Sequence, residues 1–94
     1  MTNTSPIRPQ DVLPDGVDST MINGTIARKG TIAAFLANAD ILENKEATEL
    51  QRQEALNIMK ELAPTVIAIG LHKHVLFKNP QIEQILVEAA FLKG

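Results

Sequence analysis

The chain has 94 residues, of which 45% are hydrophobic, a formal net charge of −2 and no cysteine. This length suits one small domain, and the apolar content excludes a chain that is disordered throughout. The lack of cysteine excludes disulfides, thiolate metal sites and thiol catalysis.

Residues 1–18 are interpreted as an extended arm in front of a single domain that spans residues 19–94. The arm contains three prolines, each of which fixes its own φ and favours an extended conformation in the residue before it. A purely solvated tail has little reason to carry aliphatic side chains. We therefore expect those of the arm to pack either on the chain's own core or on a partner subunit. They are Ile7, Val12, Leu13 and Val17.

Asn23 and Gly24 predict a β-hairpin, because a type I′ turn needs positive φ at both of its central residues. The two strands are expected near residues 20–22 and 25–27. In this register Met21 lies opposite Ile26, and we expect the face that carries this pair to pack on the helices.

Residues 31–43 predict a helix that is apolar on nearly every side. Ile32, Phe35 and Leu36 begin a stripe with helical spacing, and the opposite face carries mostly alanine. Thr31 suits the N-cap position, where its hydroxyl would accept a hydrogen bond from a helix N–H. A helix with so little polar surface is expected to lie buried at the centre of the fold.

Residues 45–62 predict an amphipathic surface helix. Thr48 and Gln51 have the spacing of a capping box, although Asn44 is an equally suitable start. Pro64 is expected to break or restart the chain after this helix.

Residues 65–77 are compatible with a buried helix or with a buried strand, because periodicity does not separate the two. The length of the segment without a turn signal favours the helix, with Ile67 and Leu71 fully buried. The strand stays open as an alternative, and it would place His72 and His74 on one face.

Residues 80–92 predict a C-terminal helix, since Asn79 suits the N-cap and Pro80 the first helical position. One apolar stripe of this helix would pack on the core of the chain: Ile82, Ile85, Leu86, Ala89 and Leu92. A second apolar set projects away from that stripe, and we interpret it as the interface of a homodimer: Val87, Ala90 and Phe91.

Together these elements predict a mostly α fold of the α+β class. A short N-terminal β-hairpin is followed by about four helices, at 31–43, 45–62, 65–77 and 80–92, in a compact bundle.

The turn from Arg28 to Thr31 is a candidate anion site. Arg28 and Lys29 precede a helix N-terminus, where backbone N–H groups and the helix dipole favour negative charge. His72 is a further candidate at the mouth of an apolar pocket between helices. A turn with a helix cap is the simpler interpretation, since the segment is neither a P-loop nor a GxGxxG motif. We expect no metal site and no cofactor.

Other function classes find little support. Basic residues are interleaved with acidic ones and Trp and Tyr are missing, which disfavours nucleic-acid binding. No segment has the character of a signal peptide or the length of a membrane span, so we expect a cytoplasmic protein. No catalytic motif is present, and enzyme activity is disfavoured. The leading hypothesis is a non-enzymatic, homo-oligomeric interaction or regulatory module; the alternative is a small-molecule binder or accessory enzyme with an apolar inter-helix pocket.

Overall fold

Two strands and four α-helices make up the part of the chain that the computed structural model describes, residues 7–13 and 16–93. The predicted fold class, mostly α with an N-terminal hairpin, is confirmed. A 3₁₀ turn at Leu71–Lys73 follows the third helix. The elements in chain order are α1 (Pro9–Val12), β1 (Ser19–Ile22), β2 (Thr25–Arg28), α2 (Thr31–Glu43), α3 (Glu49–Ile69) and α4 (Pro80–Lys93).

The arm was expected to be extended, but residues Pro9–Val12 form a single helical turn, α1. Pro9 occupies the first helical position, where its missing N–H is not needed. The carboxylate of Asp11 accepts a hydrogen bond from the Arg8 N–H at 3.0 Å. Ile7 and Val12 are exposed, so these two side chains do not pack on the core of the chain. Two of the arm's prolines, at positions 6 and 14, lie outside the described residues.

The hairpin has the predicted turn and register, with Ile22 opposite Thr25 and Met21 opposite Ile26. The φ angles of Asn23 and Gly24 are 48° and 80°, as a type I′ turn requires. The predicted packing face is wrong, because the side chains of Met21 and Ile26 are 64% and 59% exposed. The hairpin instead packs on α3 through the opposite face, where the small, buried side chain of Ala27 lets the backbone of β2 approach the helix.

The prediction that Thr31 caps α2 is wrong, since Thr31 is the first helical residue and Gly30 precedes it with a φ of 85°. The buried Thr31 hydroxyl donates a hydrogen bond of 2.8 Å to the backbone carbonyl of Arg28, which closes the turn in front of the helix. The prediction of a central, fully buried helix is also wrong. Phe35 is buried while Leu36 is exposed, because one stripe of α2 makes its contacts with the other described residues.

The two helices predicted at 45–62 and 65–77 are one helix, α3, and the predicted start at residue 45 is wrong because the helix begins at Glu49. Its capping box is confirmed: the Thr48 hydroxyl accepts from the Gln51 N–H at 3.1 Å, and the Gln51 side chain accepts from the Thr48 N–H at 2.8 Å. The predicted break at Pro64 is wrong, because the helix continues through it to Gly70, whose φ of 98° ends it. Buried side chains on the turn after Pro64, such as Val66, hold that turn against the core and offset the cost of the proline.

Helix α3 lies at the centre of the fold, where it contacts α2, α4 and the hairpin. The helical interpretation of residues 65–77 is right as far as Ile69. Leu71–Lys73 form a 3₁₀ turn and not a continued α-helix, and the residues from His74 to Phe77 are not helical. Ile67 and Leu71, expected to be fully buried, are half-buried. The largest fully buried side chains come from all three long helices, and each contributes roughly 1.5–3 kcal/mol of burial free energy: Phe35, Met59, Val66, Ile82 and Leu86.

Candidate functional site

The exposed apolar side chains of α4 lie towards its C-terminal end. Asn79 begins the helix as predicted, since its side-chain oxygen accepts the Gln81 N–H at 2.9 Å. Ile82, Ile85 and Leu86 are buried in the core, as predicted for the first apolar stripe. Of the second set, Val87 is 42% and Phe91 82% exposed, and Ala90 is half-buried. Leu92, expected in the buried stripe, is 84% exposed.

A shallow groove runs between α3 and α4, and we call it the α3/α4 groove. Alanines on both helices, Ala63 and Ala89, keep its floor low because their side chains are short. The groove is open to the surface, and its remaining lining is mainly aliphatic. Its lining residues are Lys60, Ala63, Pro64, Ile85, Glu88, Ala89 and Leu92.

A second apolar hollow lies on the other side of α4, lined by Gln84, Val87, Glu88, Phe91 and Leu92. Glu88 and Leu92 line both this hollow and the α3/α4 groove. They therefore form a ridge between the two depressions, which we call the α4 ridge. Because the two residues are four apart in a helix, they lie one above the other on the same face.

The two charged residues of the groove have almost no partners in the described part of the chain. Among residues 7–13 and 16–93, Lys60 has no hydrogen bond or ion pair. Glu88 accepts one hydrogen bond, from the side-chain amide of Gln84 at 3.2 Å. Both side chains are exposed, so each charge is free to meet a partner from outside the chain.

A half-buried hydrogen bond between His72 and Glu83 fixes the loop that leads from α3 to α4. The Nε2–H of His72 donates to Oε2 of Glu83 at 2.7 Å, and the Phe77 N–H donates to Oε1 of the same carboxylate at 3.1 Å. These bonds lower the pKa of Glu83, the hydrogen bond from His72 having the larger effect. The carboxylate thereby holds the ring of Phe77 over the core, where it meets Phe35 edge-on with centroids 5.8 Å apart.

The predicted anion residues occupy two different settings. Arg28 and Lys29 are exposed in the turn between β2 and α2, and the proton of the Thr31 hydroxyl is engaged by the Arg28 carbonyl. His72 is bonded to Glu83 instead, and no hydrogen bond or ion pair in the described part of the chain joins it to that turn. No group of three or more potential metal ligands occurs among the described residues either.

Sequence reasoning missed the α3/α4 groove, including Lys60 and Pro64. A signal was present in Ala63 and Ala89, because small residues on two helices allow a depression where the helices meet. Comparison of the chain with known protein families, with curated proteins and with solved structures found no match. None of the described helices is long and apolar enough to span a membrane. The chemistry of the surface is therefore what points to function.

Proposed function

We propose that the protein is a non-enzymatic interaction module that self-associates through the exposed face of α4. The observation that carries this proposal is the exposure of Phe91 and Leu92, at 82% and 84%, beside Val87. These side chains are adjacent on one helix, and the α3/α4 groove continues the apolar surface on the other side of Leu92.

The free energy available at this face supports association. Burying one large aliphatic or aromatic side chain is worth roughly 1.5–3 kcal/mol, so a partner that covers Phe91 and Leu92 gains several kcal/mol. Contiguous apolar patches on water-soluble domains mark interaction sites. Two-fold homodimers are the commonest closed assembly, and a homodimer needs no second protein to explain the surface.

The alternative, a small-molecule binder, has less support. Ligand sites enclose most of the ligand and combine apolar lining with a few convergent polar groups. The α3/α4 groove has the apolar lining, but it is open to the surface and its two charged residues, Lys60 and Glu88, are exposed. These features suit contact with a macromolecule better than capture of a small molecule. The cysteine-free composition supports an intracellular, cytoplasmic setting for such a module.

Sedimentation equilibrium of the intact protein over a range of concentrations tests the proposal. We expect a mass of two chains of 10.2 kDa each, and a shift of Phe91→Glu towards the mass of one chain, since the substitution places a charge in the contact. Met21→Glu is the matched control, because Met21 is also largely exposed but lies on the hairpin. A single-chain mass at every concentration, or a dimer indifferent to Phe91→Glu, contradicts the proposal.

A further inference from the structure

We infer that the occupant of the α3/α4 groove is the α4 ridge of a second copy of this chain, related by a two-fold axis. In this arrangement Glu88 of each copy lies against Lys60 of the other. The inference rests on the proposed self-association and adds to it the geometry of the contact and the residues that give it specificity.

The shape of the surface favours a second copy as the occupant. Helices pack by seating the side-chain ridges of one into the grooves of the other. The α4 ridge stands beside a groove of its own chain, with Leu92 at 84% exposure as its most prominent apolar side chain. A two-fold axis that seats one ridge in the partner's groove seats the other ridge in the same way, because such an interface uses the same surface of both copies.

The charges on the ridge and in the groove also favour a second copy. The ridge carries Glu88, and the α3 side of the groove carries Lys60. When the ridge of one copy enters the groove of the other, its carboxylate approaches the opposite wall, which holds the ammonium group. Within the described residues that ammonium group has no partner, and the carboxylate has only an amide. The surface is thus complementary to itself, and the contact forms twice in each dimer.

Other occupants make different demands. The chain's own arm carries both a cation and an anion, Arg8 and Asp11, but an arm that covers the groove of its own chain leaves the chain monomeric. A different protein bound in the groove would not make two variant chains with opposite charges pair with each other. Lys60 and Glu88 line the same groove of one chain, but only a second copy lets the charge at position 60 of one chain act on the charge at position 88 of another.

Charge reversal tests this coupling. Lys60→Glu and Glu88→Lys each convert both cross-contacts of a homodimer into like-charge pairs, and we expect each to weaken self-association roughly tenfold or more. The double variant restores opposite charges and should recover the wild-type dissociation constant within about threefold, because a small difference in rim contacts remains. An equimolar mixture of the two single variants should form a heterodimer, since both of its cross-contacts are attractive.

Matched reversals elsewhere serve as controls. Glu61→Lys lies next to Lys60 on α3, and Lys45→Glu lies in the loop before it; both side chains are exposed. We expect neither to change the dissociation constant. Circular dichroism of every variant checks folding, and a loss of wild-type affinity with rising salt provides a measurement that needs no variant.

The outcomes separate the inference from the proposed function. A wild-type chain that stays monomeric overturns both. If Phe91→Glu dissociates the dimer but neither charge reversal weakens it, the inference is wrong, and self-association through α4 still holds. The same holds if the single variants weaken association but fail to complement each other on mixing.

Discussion

The side-chain amide of Asn23 donates a hydrogen bond of 2.7 Å to the backbone carbonyl of Ala68, and so ties the hairpin turn to the last turn of α3. The last carbonyls of a helix have no partner within it and need one elsewhere. Asn23 therefore satisfies one of them from a residue that is 45 positions away in the chain. The same residue provides one of the two positive φ angles of the turn, so Asn23 contributes both to the shape of the hairpin and to its attachment.

Asn23→Asp is predicted to destabilise the fold by about 1–2 kcal/mol. Aspartate keeps the shape and tolerates positive φ, but it lacks the amide donor and brings a negative charge to the C-terminal end of a helix. Urea unfolding followed by circular dichroism gives the free energy. Asn57→Asp, an exposed position in α3, is the matched control and should change it by less than about 0.5 kcal/mol. Equal stability of the two variants would argue against the anchoring role of Asn23.

Gly24→Val is predicted to cost more than about 1 kcal/mol, because β-branched residues resist positive φ. The φ of Gly24 is 80°, and a Cβ at this position would meet no neighbouring atom. The cost is therefore one of backbone strain and not of steric clash with the fold. Gly24→Asn distinguishes backbone strain from steric clash. Asn tolerates this conformation, so this variant should lose less stability than Gly24→Val. A larger loss with Asn than with Val would show that the strain explanation is incorrect.

Phe35 and Phe91 are predicted to differ sharply when each is replaced by alanine. Phe35 is 0% exposed and contacts the ring of Phe77, so Phe35→Ala should cost about 3–5 kcal/mol. Phe91 is 82% exposed, and at concentrations where the chain is monomeric Phe91→Ala should cost less than about 0.5 kcal/mol. Thermal unfolding of both variants at low concentration provides the comparison. Similar losses would contradict the assignment of Phe91 to the surface.

The stability of the fold is predicted to fall in acid through Glu83. Its pKa lies below the ordinary value of 4.5 in the folded chain, chiefly because of the hydrogen bond from His72. A carboxyl with a lowered pKa contributes stability that is fully present above the pKa of the unfolded chain and disappears as the pH falls through that of the folded chain. The contribution of Glu83 should therefore be complete at neutral pH and diminish below about pH 4.5.

Glu83→Gln tests this prediction, because the amide does not titrate in this range. Unfolding midpoints measured from neutral to strongly acidic pH should fall less steeply for the variant than for the wild type. His72→Gln should raise the pKa of the Glu83 carboxyl, which carbon-detected NMR titration measures directly. An unchanged Glu83 titration in His72→Gln would mean that His72 does not lower the pKa of Glu83 in solution.

Three signals confined to a few neighbouring residues predicted their structures, whereas two others, the cap at Thr31 and the break at Pro64, did not. Asn23 with Gly24, Thr48 with Gln51 and Asn79 each specify a local backbone geometry through their own hydrogen bonds or φ angles, and the structure has all three features. The face of the hairpin that packs on α3 was not accessible in this way. Both faces carry apolar side chains, and the choice depends on the close approach of α3 to Ala27, a contact distant in sequence.

In the candidate site, too, local patterns predicted some features and contacts distant in sequence determined the others. The spacing of apolar residues in α4 predicted that Val87 and Phe91 project away from the core, and both are exposed. The groove beside them needs α3 to pass Pro64 without a break and to lie along α4, which no local pattern indicates. The pairing of His72 with Glu83 likewise depends on the path of the loop between two helices.

Pro64 has a consequence for the order in which structure forms along α3. Proline in the interior of a helix costs about 3 kcal/mol or more, because it removes one hydrogen bond and crowds the preceding turn. A peptide of residues 49–69 alone would therefore be expected to fray from Pro64 onward. In the intact chain the residues that follow are helical because Val66 and Ala68 are buried against their neighbours. The end of α3, the anchor for Asn23 and the wall of the groove thus form only with the core, as one cooperative unit.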